Sequence, residues 1–354
     1  MAILHGGQLS RVAKQYQIPE NEWLDLSTGI APFSYGIPVI PAKAWQDLPT
    51  ISSSLIKAAK HYYRADFCWP VAGSQQLIEK LPKLWDEKLN QRVSEKHDVK
   101  NSRVENTEIK HAYLPKVGYK EHQQAWSKAG YQLHFYQQCL PENIEKNSIV
   151  VVINPNNPLT DTFTISQLLS LKKYCEQQQA LLIIDEAFAD IFVPEFSFVP
   201  HIINHQHEHN DVIVLRSFGK FFGLAGVRIG FACSTQIWCE TIKKSIGPWS
   251  INGPALFIAE QALQDKQWQV EQNKRLDQQS QIMQQLLKTY LPAARVEANA
   301  LFITVFLINA PAVYEKLCQQ AVYVRLTDEN NALRFGLTDK VNTQRLSDAL
   351  ATIV

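Results

Sequence analysis

Short apolar runs punctuate the middle of the chain, at residues 149–153 (IVVVI), 181–184 (LLII) and 212–215 (VIVL). None alternates with polar residues. Strands buried on both faces read this way, so the pattern predicts a largely parallel sheet covered by helices. Between the first two runs lies TISQLLSLKKYCEQQQ, where Leu168, Leu169, Leu171 and Tyr174 can share one helical face. That is a βαβ unit, and sheets of this kind hold ligands beyond the carboxyl ends of their strands. Chemistry is therefore expected from Asn154, Asp185 and Arg216 onward.

Upstream, Leu77, Ile78, Leu81, Leu84 and Trp85 predict a helix over residues 74–85. The following stretch, 86–110, is polar and reads as a surface insertion. After Ser245 the alternation breaks at GPWSINGP. A Gln-rich helix over 255–290 follows, its glutamines read as a solvated face, and then come three strand-like runs, LFITVFL, VYVRL and ALRFGL. These predict a smaller α+β lobe. A length of 354 residues exceeds the usual single core and agrees with two lobes.

Composition narrows the partners. Lys plus Arg number 35 and Asp plus Glu 34, so a net charge of +1 offers no field to gather nucleic acid or an anionic membrane. Anion recognition has to be local, which suits a small ligand. The six cysteines form no C-x-x-C pair and are expected as unpaired thiols. No apolar run approaches the ~20 residues of a membrane span. The opening residues lack the apolar core of a signal peptide, so a cytoplasmic setting is expected.

Four segments carry candidate chemistry. Lys220, in RSFGKFFGLAGVRIGFA, follows a buried strand and lies among glycines and phenylalanines. It either snorkels from a loop or is a desolvated amine, which is a competent nucleophile toward an aldehyde. Asp185 ends the LLII strand and begins DEAF; it caps a helix or serves a metal, a ribose or a protonated ring nitrogen. No second acid or histidine stands nearby at metal-ligand spacing, which favours the heterocycle. In Asn154-Pro155-Asn156-Asn157-Pro158, two prolines stiffen a turn carrying three amides. Gly73-Ser74-Gln75 opens a helix whose free N–H groups can cradle a phosphate, with Ser217 and Arg228 able to complete it. His201, His205, His207 and His209 close no convincing metal set and read as a polar loop.

In order along the chain, NPNNP, DEAF, SFGK and GLAGVRIGF resemble fold-type I pyridoxal-5′-phosphate (PLP) enzymes, in the branch containing histidinol-phosphate aminotransferase. Within it, HGGQLSRVAKQY, the SFGK block and GPWSINGPA resemble the threonine-phosphate decarboxylases of cobalamin biosynthesis. The resemblance implies the aspartate aminotransferase-like fold. An N-terminal segment (1–44) would join a small C-terminal domain (247–354), with a large cofactor domain (45–246) between them. It also implies a homodimer with shared active sites. Lys220 would bond to the PLP aldehyde, Asp185 would face the pyridine nitrogen and Asn157 the ring oxygen, and Tyr119 would stack on the ring. Gly73, Ser74, Gln75, Ser217 and Arg228 would hold the cofactor phosphate. Arg334 would take the substrate carboxylate, with Arg325 and His5 the candidates for a substrate phosphate. The implied reaction is decarboxylation of L-threonine O-3-phosphate to (R)-1-aminopropan-2-yl phosphate. The alternatives are an aminotransferase acting on histidinol phosphate or another small amino acid, and a non-catalytic PLP-sensing module. The last usually carries a DNA-binding region, which this sequence does not display. The sequence departs from the family's pattern at Phe188, where many relatives have tyrosine, and at Leu48-Pro49, Leu159-Thr160, Gly29 and Ala31.

Overall fold

The computed structural model describes residues 5–96, 109–192, 194–202 and 210–353. The first strand, β1 (Leu24–Asp25), lies far from its neighbours in sequence. Seven strands then build the central sheet: β2 (Cys68–Val71), β3 (His111–Pro115), β4 (Gln132–Tyr136), β5 (Ile149–Ile153), β6 (Leu181–Asp185), β7 (Val212–Ser217) and β8 (Gly230–Ser234). Their order is β2-β8-β7-β6-β5-β3-β4. Only β8 runs against its neighbours.

The uninterrupted apolar strands follow from two cores. In β5 and β6, Val150, Val152, Leu182 and Ile184 face one core, while Ile149, Val151, Leu181 and Ile183 face the other. The period of two sends neighbours to opposite faces, and both faces are dry. Helix α1 (Leu9–Tyr16), α2 (Lys43–Gln46) and α3 (Ser53–Tyr63) precede the sheet. Helix α4 (Ser74–Lys96) and α5 (Lys120–Lys128) cover one face, through Leu77, Leu81, Trp85 and Trp126. Helix α6 (Ile165–Gln177) covers the other through Leu168, Leu171 and Cys175. Leu169, expected on that buried face, is instead 39% exposed. A Thr164/Gln167 capping box fixes where α6 starts.

Two expectations about helices need correction. Helix α4 does not stop at Trp85 but runs to Lys96, so the first part of the supposed 86–110 insertion is helical. Its polar heads are tied down: Asp86 accepts from Tyr131 and Lys110, while Lys88 and Arg92 both reach buried Asp211. Residues 97–108 of that stretch lie outside the described residues, as do His205, His207 and His209. The helix expected over 255–290 is two. After α7 (Phe218–Phe221) and α8 (Gln236–Ile246), α9 (Gly253–Gln264) stops at Asp265, whose carboxylate caps α10 (Lys266–Tyr290) by accepting from Trp268 N–H. Nor are its glutamines all solvated. Gln272 is buried and donates to the carbonyls of Phe33 and Phe221, and Gln279 is buried against Thr343.

Beyond α10 a four-stranded antiparallel sheet is built from β9 (Arg295–Ala298), β10 (Phe302–Phe306), β12 (Arg325–Leu326) and β13 (Ala332–Gly336). The run VYVRL was expected as one strand. Its first half, β11 (Val322–Tyr323), instead pairs in parallel with β1, and only its second half joins β13. Helices α11 (Ala310–Gln319) and α12 (Lys340–Ile353) pack alongside. No helix among the described residues is long and apolar enough to cross a membrane.

Candidate active site

The carboxyl ends of β5, β6 and β7 open onto two adjoining cavities of about 130 and 240 Å³, both lined by Tyr119, Asn157 and Lys220. Lys220 follows directly from β7 on the short α7, at the junction. Burial, then Arg334 and Arg228, pull its amine down to about 8, with Asp185 opposing them. A lysine so placed is a nucleophile near neutral pH. Its ammonium lies 5.4 Å from the centre of the Phe188 ring.

Asp185 lies at the tip of β6, buried, with Oδ1 accepting from Ala187 N–H at 3.0 Å and Oδ2 facing His122 Nε2 at 2.8 Å. His122 was not singled out in the sequence. Its only trace there is a position three residues after Tyr119, which puts both on one face of α5's first turn. It is 1% exposed, and its Nδ1 meets no partner among the described residues. Of the three amides in NPNNP, two are structural. Asn154 exchanges hydrogen bonds with the backbone of Phe163, and Asn156 donates to Val117 O. Asn157 alone lines both cavities, and its Oδ1 accepts from Arg334 Nη1 at 2.6 Å. Both X–Pro bonds in the segment are cis.

The smaller cavity ends in a cradle. Gly73 has φ +79°, and a Cβ there would fall 2.9 Å from Arg228 Nη2. The left-handed φ favours glycine here, and the absence of a side chain leaves that guanidinium room over the turn. Ser74 starts α4, so its free N–H groups face the same space, and Ser217 lines it from β7. Gln75 lines it too, but its side chain is engaged by the Tyr119 hydroxyl, Glu79 and Glu121. Glu121 in turn holds His5 Nε2 at 2.7 Å.

The larger cavity holds His5, Arg325 and Arg334. Arg334, on β13, is brought down to about 10 by burial and then by Arg325. Gly29 and Phe188, two of the departures, form one packing unit. A Cβ on residue 29 would fall 2.7 Å from Phe188 Cε1, and Phe188 packs edge-on against Phe302. An asparagine at 29 does not fit beside that ring. Ala31 donates its N–H to Lys220 O, and Thr160 takes a φ of +67°, where glycine is favoured. Leu48 is 65% exposed and reaches neither cavity.

A phosphate cradle at a helix start, a neutralisable lysine and a supported acid suit PLP, and together they define a PLP-dependent enzyme. Arg228, Ser217 and the start of α4 would hold its phosphate, Asp185 its ring nitrogen and Lys220 its aldehyde carbon. A model of the aminotransferase class I and II family matches residues 106–350, and the chain belongs to that family. It is 34% identical to a threonine-phosphate decarboxylase of Pseudomonas aeruginosa, over 98% of this chain and 96% of that one. A threonine-phosphate decarboxylase of Sinorhizobium sp is 31% identical over 99% of this chain and 98% of its own. The fold matches the histidinol-phosphate aminotransferase of Sinorhizobium meliloti, solved with PLP, at a TM-score of 0.76 and 16% identity. That match covers 100% of this chain and 95% of the other.

Proposed function

We propose that this chain decarboxylates L-threonine O-3-phosphate to (R)-1-aminopropan-2-yl phosphate, the aminopropanol unit of the cobalamin side chain. One observation carries the reading on the structural side. Arg325 and Arg334 face each other across the β12–β13 ladder and line one cavity. Like charges opposed on a ladder repel, and burial sharpens the cost. A site built this way fits a substrate with two anionic groups, a carboxylate for Arg334 and a phosphate for Arg325 and His5. The full-length likeness to two threonine-phosphate decarboxylases supports the same choice.

Bound here, PLP would serve as the electron sink for a bond broken at the substrate's α-carbon. Arg334, which lines the larger cavity, would choose that bond by fixing the substrate carboxylate. Asn157 Oδ1 holds Arg334 Nη1, and Ser27 O holds Nη2, so the guanidinium cannot follow a misplaced substrate. Lys220 Nζ would be the acid that returns a proton to the substrate's α-carbon. Phe188, packed edge-on against Phe302, gives the smaller cavity one apolar wall.

The reading includes a homodimer. Trp45, Leu48 and Trp249 are each more than 60% exposed. They flank the contact between α2 and the start of α9, where Gly253 packs directly on Ala44 O. A second copy is the occupant that suits this apolar surface.

The test is direct. Holoenzyme incubated with L-threonine O-3-phosphate should release CO2 and an amine phosphate in equal amounts. Offered histidinol phosphate and 2-oxoglutarate, it should form no glutamate. Glutamate formation without CO2 from phosphothreonine would make the chain an aminotransferase.

A further inference from the structure

The turn between β12 and β13 walls the substrate cavity on one side and, on its other side, an outer cleft of about 720 Å³. Lys120, Arg325, Thr327 and Asp328 line both spaces. These four residues stand between the two spaces. Two ion pairs cross this wall. Arg325 Nη2 meets Asp328 Oδ1 at 2.6 Å, and Lys120 Nζ, from α5, meets Glu329 Oε1 at 3.4 Å. All four side chains are half-buried, between 17% and 37% exposed. Each cation is thus matched by an acid from the same turn.

Those acids are not what folds the turn. Thr327 N donates to Ala332 O, Asn330 N donates to Thr327 O, and Ala332 N donates to the Thr327 hydroxyl. Asn330 takes the left-handed φ of +54° that closes it. Asp328 and Glu329 sit on an already formed turn and spend their charge on cations of the cavity.

We infer that Asp328 and Glu329 are specificity-determining residues. They are tethered stand-ins for the substrate's phosphate, and they neutralise Arg325 and Lys120 until a dianion displaces them. The inference rests on the phosphorylated-substrate reading. A neutral or singly charged side chain gains too little to displace two carboxylates held at high local concentration, whereas a phosphate dianion replaces both. No covalent bond changes.

The experiment uses holoenzyme and inorganic phosphate as the probe, with affinity measured by calorimetry and by inhibition of phosphothreonine turnover. Asp328→Asn and Glu329→Gln keep shape and remove charge. Each should tighten phosphate binding, with the double variant at about tenfold. KM for phosphothreonine should fall, and kcat should fall with it as the phosphorylated product leaves more slowly. Acids with a purely structural role would loosen the turn on removal, weakening phosphate binding and raising KM. That result, or unchanged affinity, overturns the inference. Tighter phosphate binding in a protein that does not turn over phosphothreonine would sustain the anion exchange and remove the substrate reading instead.

Discussion

Lys220 holds a long cationic side chain in a place where only its neutral form is comfortable. With the amine at about 8 against 10.5 for a free lysine, the folded apoprotein carries a penalty on the order of 3 kcal/mol. The sign is set by which chain holds the proton. Below pH 8 folded and unfolded chains are both charged, and the folded state bears the whole cost. The cost fades as pH rises from 8 toward 10.5. Lys220→Met should therefore make the apoprotein more stable at pH 7 by about that amount, with the difference from wild type shrinking in alkaline buffer. Urea denaturation at a series of pH values reads this out. The rate of rebuilding holoenzyme from apoprotein and PLP should rise with pH and level off near 8, because only the neutral amine attacks. Lys220 and Asp185 were legible in the sequence because a charged residue stands at the tip of an apolar strand. His122 was not, since a histidine in a polar helix carries no mark of the carboxylate it will meet.

The strands themselves explain how two such side chains stay aimed. On β6 and β7 consecutive residues point to opposite faces. Asp185 and Ser217 face the cavity, and the adjoining Glu186 and Arg216 point into the layer beneath it. There Arg216 bonds Glu186 at 2.5 Å and Asp190 at 2.7 Å, while Glu186 also accepts from the Ser197 hydroxyl and from Phe198 N–H. This buried network ties two neighbouring strand tips together. Arg216→Met would leave two buried carboxylates without their cation, and a loss of about 3–5 kcal/mol is expected in urea denaturation. A change under 1 kcal/mol would mean the acids find other partners. The apolar strands were legible because both faces are dry. The far end of α4 was not, because Asp86, Lys88 and Arg92 look solvated until Asp211 and Tyr131 arrive from distant segments. The split of VYVRL was hidden for the same reason, since its first half is recruited by β1.

At the scale of the molecule, the apolar surface around Trp45, Leu48 and Trp249 is expected to disappear into a twofold contact. Trp249→Lys combined with Leu48→Lys should shift sedimentation from dimer toward monomer, and PLP affinity should fall with it if the copies complete each other's sites. A wild-type protein that sediments as a monomer at micromolar concentration would remove the shared-site part of the reading. The middle of the central sheet, β5, β6 and β7, was foreseeable from local patterning, whereas β2, β3, β4 and β8 were not. The pairing of β1 with β11 was not, because nothing in a two-residue strand announces a partner so distant.

That pairing has a consequence for how the protein is made. Leu24–Asp25 hydrogen-bonds to a strand roughly 300 residues later, so at about 5–20 residues per second this segment waits some 15–60 seconds for its mate during synthesis. Until then Trp23 lacks Cys318, Ala321 and Tyr323, which share its core cluster in the finished molecule. A chaperone that shields this segment would be needed for that whole interval.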